Sequence, residues 1–157
     1  MTYVLGAPGS GKSTIALLLR SALATHIVID WDAYIPAASE LAERDVRRSP
    51  STWPSYRRLV RALVDTIHPA PLVLLGVCTP DEVEGWPIDE TILLDCADEE
   101  LRRRLRATRD ATDIDVTEAL ADAARYRNLD LPVIETTNRT PQAVAQELAD
   151  VIRRQVR

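Results

Sequence analysis

The sequence is poor in cysteine and in long apolar runs. Its two cysteines, Cys78 and Cys96, do not lie at the spacing of a metal site or of a disulfide framework, so we expect them to be reduced. No apolar run approaches the roughly 20 residues that cross a bilayer, and no signal core precedes Gly6. We therefore expect a cytoplasmic protein without a membrane partner.

The charge balance is unfavourable for nucleic-acid binding. A formal net charge of -5 opposes broad affinity for phosphate backbones, which requires a basic surface. The 157 residues, 46% hydrophobic and 27% charged, are typical of a globular protein with one hydrophobic core. We expect a single domain over residues 1–157 that is a monomer or a homodimer and has no nucleic-acid partner.

Lysine is almost absent, and its one occurrence needs a chemical reason. Of the 19 basic residues, 18 are arginine and one is Lys12. Lys12 stands in Gly6-Ala7-Pro8-Gly9-Ser10-Gly11-Lys12-Ser13, the phosphate-loop pattern of two glycines five apart followed by Lys and Ser or Thr. Residues 2–5 before the loop predict a strand, and residues 14–23 after it predict a helix, which is the order that this loop requires.

The residue types in the loop suit a nucleoside triphosphate. Glycines let the backbone turn its amides toward phosphate oxygens at a helix N-terminus. A compact lysine ammonium follows the β and γ phosphates, and the Ser13 hydroxyl suits Mg²⁺. The residues predicted to bind the nucleotide here are Gly9, Ser10, Gly11, Lys12, Ser13 and Thr14.

The remaining pattern predicts an α/β fold. Strand-like apolar runs alternate with helical patterns, and continuous apolar strands are typical of a parallel sheet covered on both faces. The residues between 35 and 54 are irregular, with Pro36, Pro50 and Pro54 among short charged stretches, and predict a mobile flap with short helices. The further strands are predicted over residues 27–30, 72–77, 91–95 and 133–136.

Two acidic residues end the second predicted strand. Strand alternation would send Asp30 and Asp32 to the same side, where carboxylates can hold Mg²⁺ waters or orient an acceptor hydroxyl. The alternative is a solvated strand end with a capping role. Asp95, at the end of another strand, is a second candidate for the metal, unless it only closes that strand.

Taken together, these motifs resemble shikimate and gluconate kinases and the wider nucleoside monophosphate kinase group. The resemblance spans nearly the whole chain and implies a three-layer α/β sandwich with a five-stranded parallel sheet. It also implies ATP and Mg²⁺, an acceptor-binding flap over residues 33–70 and a short lid over residues 110–114. The motifs that carry it are the phosphate loop, Asp30-Trp31-Asp32, Leu75-Gly76-Val77, Leu94-Asp95-Cys96 with an arginine-rich helix, and Thr137-Asn138-Arg139-Thr140-Pro141.

The resemblance also implies roles for individual residues. Asp30 resembles the acid on the magnesium side, beside Ser13, and Asp32 resembles the acid that binds the acceptor. Gly76 and Arg127 resemble residues that face the acceptor. Val77-Cys78-Thr79-Pro80 departs from the sugar-acid kinases, which leaves the acceptor open. The residues that resemble those around the adenine ring are Arg104, Arg139 and Pro141.

The arginines have two explanations. Most of them suit a solvated, salt-bridged surface, but guanidinium groups also stabilise a phosphoryl group in transfer. Arg109, at the lid edge, is our catalytic candidate. Arg57 and Arg61 lie one helical turn apart in the flap and are the candidates for binding an anionic acceptor.

The sequence thus predicts an ATP-dependent kinase that transfers the γ-phosphoryl group to a small metabolite, nucleoside or nucleotide. Lys12, Asp32 and Arg109 are its predicted catalytic residues. The alternative is a nucleotide-dependent regulatory ATPase or switch without a small-molecule acceptor, although the guanine-reading motif of GTPases is absent. A nucleic-acid end kinase is disfavoured by the acidic net charge.

Overall fold

The computed structural model describes residues 1–108 and 111–155, and five parallel strands form the centre of this part of the chain. The α/β fold predicted from the sequence is confirmed. The strands are β1 Thr2–Leu5, β2 Ile27–Asp30, β3 Leu72–Gly76, β4 Glu90–Asp95 and β5 Val133–Glu135. The helices are α1 Lys12–Ala22, α2 Ile35–Leu41, α3 Trp53–Ile67, α4 Asp98–Thr108, α5 Asp113–Arg127 and α6 Pro141–Gln155. Short 3-10 helices cover Trp31–Tyr34 and Pro80–Val83.

The strand order places the phosphate loop at the middle of one sheet edge. The order is β2-β3-β1-β4-β5, and all pairs are parallel. Leu5, the last residue of β1, lies opposite Gly76 of β3 and Leu93 of β4. Because parallel strands end at the same edge, the segments that follow β1, β2 and β3 meet there.

Helices cover both faces of the sheet, which explains the continuous apolar strands. Side chains alternate along β1, so Val4 packs toward α1 and α6 with Leu19 and Leu148. Tyr3 points to the opposite face, where α3, α4 and α5 pack. The result is a three-layer sandwich whose two cores lie on either side of the sheet.

The predicted flap contains a well-packed helix. Trp31 is fully buried, and its ring stacks on Trp53 of α3 at 6.0 Å and on Trp86 at 5.7 Å between centroids. The Tyr56 hydroxyl donates to the Trp31 carbonyl at 2.5 Å. Stacked and edge-on aromatic pairs of this kind add to the free energy of burial, so they fix α3 to the end of β2.

The predicted lid overlaps a helix. Thr112 caps α5, since its hydroxyl accepts from the Asp115 amide at 3.2 Å and its own amide donates to the Asp115 carboxylate at 2.9 Å. Asp113 and Ile114 therefore lie in the first turn of α5. Arg109, the predicted lid arginine, lies outside the described residues.

Gly76 is required by close packing. A Cβ atom at this position would lie 2.8 Å from the Tyr3 hydroxyl oxygen and 3.0 Å from Cε3 of Trp31. Neither ring moves easily, because Trp31 is fully buried and the Tyr3 hydroxyl donates to the Cys78 carbonyl at 2.9 Å.

Within the described chain, no helix has the length and apolar character to span a membrane.

Gly76→Ala should therefore destabilise the protein. We expect the free energy of unfolding to fall by roughly 1–3 kcal/mol, the usual cost of overpacking a core, in urea denaturation. Leu17→Ala, at a side chain that is 63% exposed, is the control and should change it by less than about 0.5 kcal/mol. A Gly76→Ala protein as stable as the wild type would contradict this packing role.

Candidate functional site

The loop between β1 and α1 has the backbone of an anion site. Gly9 and Gly11 have φ angles of 87° and 104°, in the left-handed region that favours glycine. Gly11 is the N-cap of α1 and has no side chain to cap the helix. The first amides of α1 are therefore directed toward the loop, where an anion is favoured.

Lys12 is held beneath this loop. Its side chain is buried, with the residue only 4% exposed, and its ammonium donates to the carbonyl oxygens of Gly6 at 2.6 Å and Ala7 at 3.1 Å. A buried cation at a helix N-terminus adds to the positive potential of that helix end. The loop and Lys12 together therefore favour a multiply charged anion.

A cavity of about 350 Å³, here the loop cavity, opens beside the loop. It joins the N-terminal turn of α1 to α4 and to the start of α6. All the residues that the sequence predicted for the nucleotide border it. They are Gly9, Ser10, Gly11, Lys12, Ser13, Thr14, Arg104, Arg139 and Pro141.

Arg104 forms a fixed wall of the loop cavity. Its guanidinium donates to the hydroxyl and the carbonyl of Thr136, both at 2.9 Å, and to the Ser10 carbonyl at 3.3 Å. Its Nε contacts Glu100 at 2.7 Å. Hydrogen bonds from Arg103 and Arg104 lower the pKa of Glu100 to about 2. The Arg104 plane is thus fixed before any ligand arrives.

Arg139 forms part of the other wall. Its guanidinium donates to the Glu135 carbonyl at 3.0 Å and pairs with Glu147 at 2.6 Å. A flat aromatic ligand can stack between such fixed guanidinium groups, because a guanidinium is planar and weakly hydrated.

A second cavity, here the carboxylate cavity, lies at the end of β2 and has a volume of about 1000 Å³. Ser13, Asp30 and Asp32 all border it. Strand alternation, which we predicted, does not bring Asp30 and Asp32 together. β2 ends at Asp30, and Asp32 lies in the 3-10 helix that follows. The Asp30 carboxylate accepts from the Asp32 amide at 3.1 Å, which fixes this turn.

Asp32 has a buried side-chain carboxylate, and one of its oxygens accepts no hydrogen bond from the described residues. Its side chain is 8% exposed, and its Oδ1 lies 3.3 Å from Nη2 of Arg47. That oxygen accepts no hydrogen bond from the described residues, so the ion pair is not aligned as a hydrogen bond. A buried carboxylate oxygen that lacks a donor can accept one from a ligand hydroxyl.

The donor set at this edge fits magnesium. Ser13 supplies a hydroxyl, and Asp30 and Asp32 supply carboxylates, all of them the hard oxygen donors that Mg²⁺ prefers. No group of three or more His, Cys, Asp or Glu side chains positioned for a metal is found in the described ranges. Mg²⁺ sites in proteins commonly use one or two carboxylates supplemented by phosphate oxygens and water.

A third cavity, here the mixed-charge cavity, has a volume of about 420 Å³ and reaches the phosphate loop at Pro8. Trp53, Leu105 and Tyr126 form apolar walls. The charged residues on it are Arg47, Arg48, Arg125, Glu82, Asp115, Glu118 and Asp122.

The structure does not bring the predicted acceptor arginines of the flap to these cavities. Arg61 pairs with Asp65 at 2.8 Å, donates to the Gly85 carbonyl at 2.6 Å and lies 5.7 Å from the Trp86 ring centroid. Arg57 lies 4.0 Å from Glu82, which borders the mixed-charge cavity, but Arg57 does not itself line it. Arg47 and Arg48, from the loop before α3, border that cavity in their place.

Arg127 and Asp95 are partners of each other. Nε of Arg127 donates to Asp95 at 2.6 Å and Nη2 donates to its other oxygen at 3.1 Å, while Nη1 donates to Asp98 at 2.7 Å. These bonds raise the pKa of Arg127, chiefly through Asp95. Neither residue borders the three cavities, so this pair ties α5 to the end of β4.

The polar face of α5 was missed from the sequence. Asp115, Glu118 and Asp122 recur at helical spacing and border the mixed-charge cavity, while Ala119 and Tyr126 from the same helix are buried. The spacing was visible, but a charged helical face is normally solvated. Only the tertiary structure turns this face toward the phosphate loop.

Comparison with known proteins places the chain in a family. A family model described as an AAA domain matches residues 3–126, which is most of the chain. The chain belongs to the AAA domain family. A comparison of this AAA domain with curated proteins gave no significant match.

Solved structures share the fold of the AAA domain over almost its full length. TT1252 from Thermus thermophilus is 25% identical, with a TM-score of 0.65 and coverage of 98% of this chain and 96% of that one. A sugar kinase from Janibacter sp. is 18% identical, with a TM-score of 0.67 over 95% and 91% of the two chains. Shikimate kinase from Acinetobacter baumannii, solved with shikimate, is 16% identical, with a TM-score of 0.68 over 98% and 93%. The AAA domain therefore has the fold of P-loop small-molecule kinases.

The structural role of Arg127 in the AAA domain can be measured with a double-mutant cycle. Arg127→Gln, Asp95→Asn and the double variant should show a coupling energy of at least about 1 kcal/mol in urea unfolding, because Asp95 is 13% exposed. The exposed pair Arg153 and Asp150 is the matched control, and its coupling should stay below about 0.5 kcal/mol. Additive effects at Arg127 and Asp95 would show that the pair does not fix α5.

Proposed function

We propose that this AAA domain protein is an ATP-dependent phosphotransferase that moves the γ-phosphoryl group to a hydroxyl or phosphate of a small molecule. One observation carries the proposal: Ser13 borders both the loop cavity and the carboxylate cavity. The phosphate end of a nucleotide in the loop cavity would therefore lie beside Asp30 and Asp32. An acceptor could reach the same point from the mixed-charge cavity.

In this proposal the loop binds the phosphates. The amides of Gly9, Gly11 and the first turn of α1 donate to phosphate oxygens, and Thr14 adds a hydroxyl. Lys12, already held near the loop carbonyls, neutralises charge on the β and γ phosphates. The base would stack between Arg104 on one side and Arg139 with Pro141 on the other.

Ser13 and Asp30 would hold the magnesium ion. Bound Mg²⁺ would supply charge neutralisation on the phosphate oxygens. Asp30 suits this role because it is 6% exposed and its carboxylate is already oriented by the Asp32 amide. An ion bound here also removes the cost of two neighbouring buried carboxylates.

Asp32 would act on the acceptor. Its Oδ1, which accepts no hydrogen bond from the described residues, orients the acceptor hydroxyl and takes its proton as the oxygen bonds to the γ-phosphorus. The bond from that phosphorus to the β–γ bridging oxygen breaks, and ADP leaves. With a phosphate acceptor no proton needs to be removed, and Asp32 orients the acceptor by accepting from a hydroxyl group elsewhere on the same molecule. Arg109 stays a prediction for stabilising the phosphoryl group in transfer.

The alternative of a nucleotide switch without an acceptor has less support. A cavity of about 420 Å³ adjoins the phosphate loop and has both apolar walls and charged groups. Cavities of this size and composition are typical of small-molecule sites. A protein that only hydrolyses or retains its nucleotide has no need of one beside the γ-phosphate.

Two substitutions test the roles proposed for Lys12 and Asp32. Transfer is measured as ADP formation with a broad panel of acceptors, and ATP affinity is measured by calorimetry. Lys12→Ala should reduce transfer at least about a hundredfold, that is by about 3 kcal/mol, because charge stabilisation is lost. Asp32→Asn should lower turnover by roughly 10²- to 10⁴-fold and leave the Kd for ATP nearly unchanged.

Arg154→Gln, an exposed change on α6, is the control and should behave as the wild type. Equal loss of ATP binding in Lys12→Ala and Asp32→Asn would contradict the division of roles. ADP formation that no acceptor accelerates above background hydrolysis would contradict the transfer itself.

A further inference from the structure

The mixed-charge and carboxylate cavities adjoin each other, and together they are here called the acceptor space. They share four lining residues, Arg47, Arg48, Asp115 and Glu118. Asp32 borders the carboxylate cavity, and Asp122 on α5 borders the mixed-charge cavity. A molecule bound here therefore meets different chemistry at its two ends.

Each of the described arginines that line the mixed-charge cavity has an acidic partner. Arg47 lies 3.3 Å from Asp32, and Arg48 pairs with Asp115 at 2.7 Å. Arg125 lies 3.5 Å from Asp122. An anionic acceptor would have to displace one of these acids in order to pair with one of these guanidinium groups. If Arg47 or Arg48 moved to the nucleotide phosphates, the space would become still more acidic.

The carboxylates that line the mixed-charge cavity outnumber its arginines. Glu118 has no ion-pair or hydrogen-bond partner among the described residues, and one turn further on lies Asp122. Burial raises the pKa of Asp122, the positive charges of Arg125 and Lys12 oppose this rise, and the negative charges of Glu82 and Glu118 add to it. Like charges held this close favour binding of a cation between them.

The Asp32 carboxylate, which borders the carboxylate cavity, is a second feature that points to a ligand. The Asp32 side chain is 8% exposed, and its Oδ1 accepts no hydrogen bond although Arg47 lies close. A buried oxygen that accepts no hydrogen bond from the protein can accept one from a donor group of a ligand. A hydroxyl group at this point would satisfy it, next to the phosphate loop.

The apolar walls limit the size of the ligand. Trp53, Leu105 and Tyr126 border a volume of about 420 Å³, which lies in the range of about 300–1,000 Å³ that holds small organic molecules. The ring of Trp53 is fixed by stacking on Trp31. A compact, ring-sized polar molecule fits this volume.

We propose that the phosphoryl acceptor is a small polyhydroxy compound with a protonated amino group, of the amino-sugar or aminocyclitol class. Its reacting hydroxyl donates to Asp32, and its ammonium group lies between Glu118 and Asp122. This inference rests on the proposed function. It excludes sugar acids as good acceptors, because their carboxylate would face Glu118 and, among the described residues, arginines that already pair with acids.

A matched set of sugars tests the charge requirement with the full chain, ATP and Mg²⁺. Glucosamine, N-acetylglucosamine and glucose are ring sugars that differ at C2 in an ammonium, a neutral amide and a hydroxyl. Gluconate is an open-chain sugar acid with a carboxylate at C1, and an aminocyclitol extends the cationic group. ADP formation gives kcat/KM, and calorimetry with a non-hydrolysable ATP analogue gives acceptor Kd. We expect the amines to exceed their neutral counterparts at least tenfold, with gluconate weakest.

Variants of the acidic residues locate the effect. Glu118→Gln and Asp122→Asn should each raise KM and Kd for the amines about tenfold and reduce the preference over neutral sugars, with ATP affinity unchanged. Asp150→Asn, at an exposed acid on α6, is the matched control and should leave the preference for amines over neutral sugars and over gluconate unchanged. Thermal unfolding confirms that each variant is folded.

The outcomes separate this inference from the proposed function. Equal or better use of gluconate or the neutral sugars would overturn the inference and leave the phosphotransferase proposal standing. So would amines that neither bind nor react while ATP binds, or a preference that survives both substitutions. Failure of ATP to bind at all would instead overturn the proposed function, and the inference with it.

Discussion

The ammonium of Lys12 donates to two carbonyl groups of the loop that precedes it, Gly6 and Ala7. This interaction holds a positive charge, almost completely buried, at the start of α1. The helix dipole and the loop amides point to the same place, so the site is arranged for an anion before one binds. Every functional proposal for this AAA domain begins from that arrangement, because it fixes where the phosphates lie.

The sheet order then determines what stands next to the phosphates. β1 is the central strand, with β3 beside it and β2 at the edge. The chain leaving β2 therefore brings Asp30 and Asp32 to the same edge as the loop, and α5 covers the space from the other side. A fold shared with sugar and shikimate kinases thus presents here an acidic wall formed by α5.

Much of the fold was predictable from the sequence, but the acceptor side of the site was less so. The strands over residues 2–5 and 27–30 match the structure because apolar runs and the loop motif define them locally. Helical spacing predicts that Arg57 and Arg61 share a face of α3, but it does not predict which part of the protein that face contacts. Arg47, Arg48 and the α5 acids reach the cavity through tertiary packing, which spacing does not encode. Asp32 lies close to Asp30 because a 3-10 helix follows β2, and not because the two residues alternate along one strand.

The central claim is that the loop around Lys12 binds the β and γ phosphates of a nucleotide. Titration calorimetry of the folded protein with Mg²⁺ and either ATP or AMP tests it most directly, since the two ligands share the base and sugar and differ in those phosphates. The account predicts saturable ATP binding at least a hundredfold tighter than AMP binding, a difference of about 2.7 kcal/mol. Equal affinity for AMP and ATP, or no uptake of ATP, would contradict it.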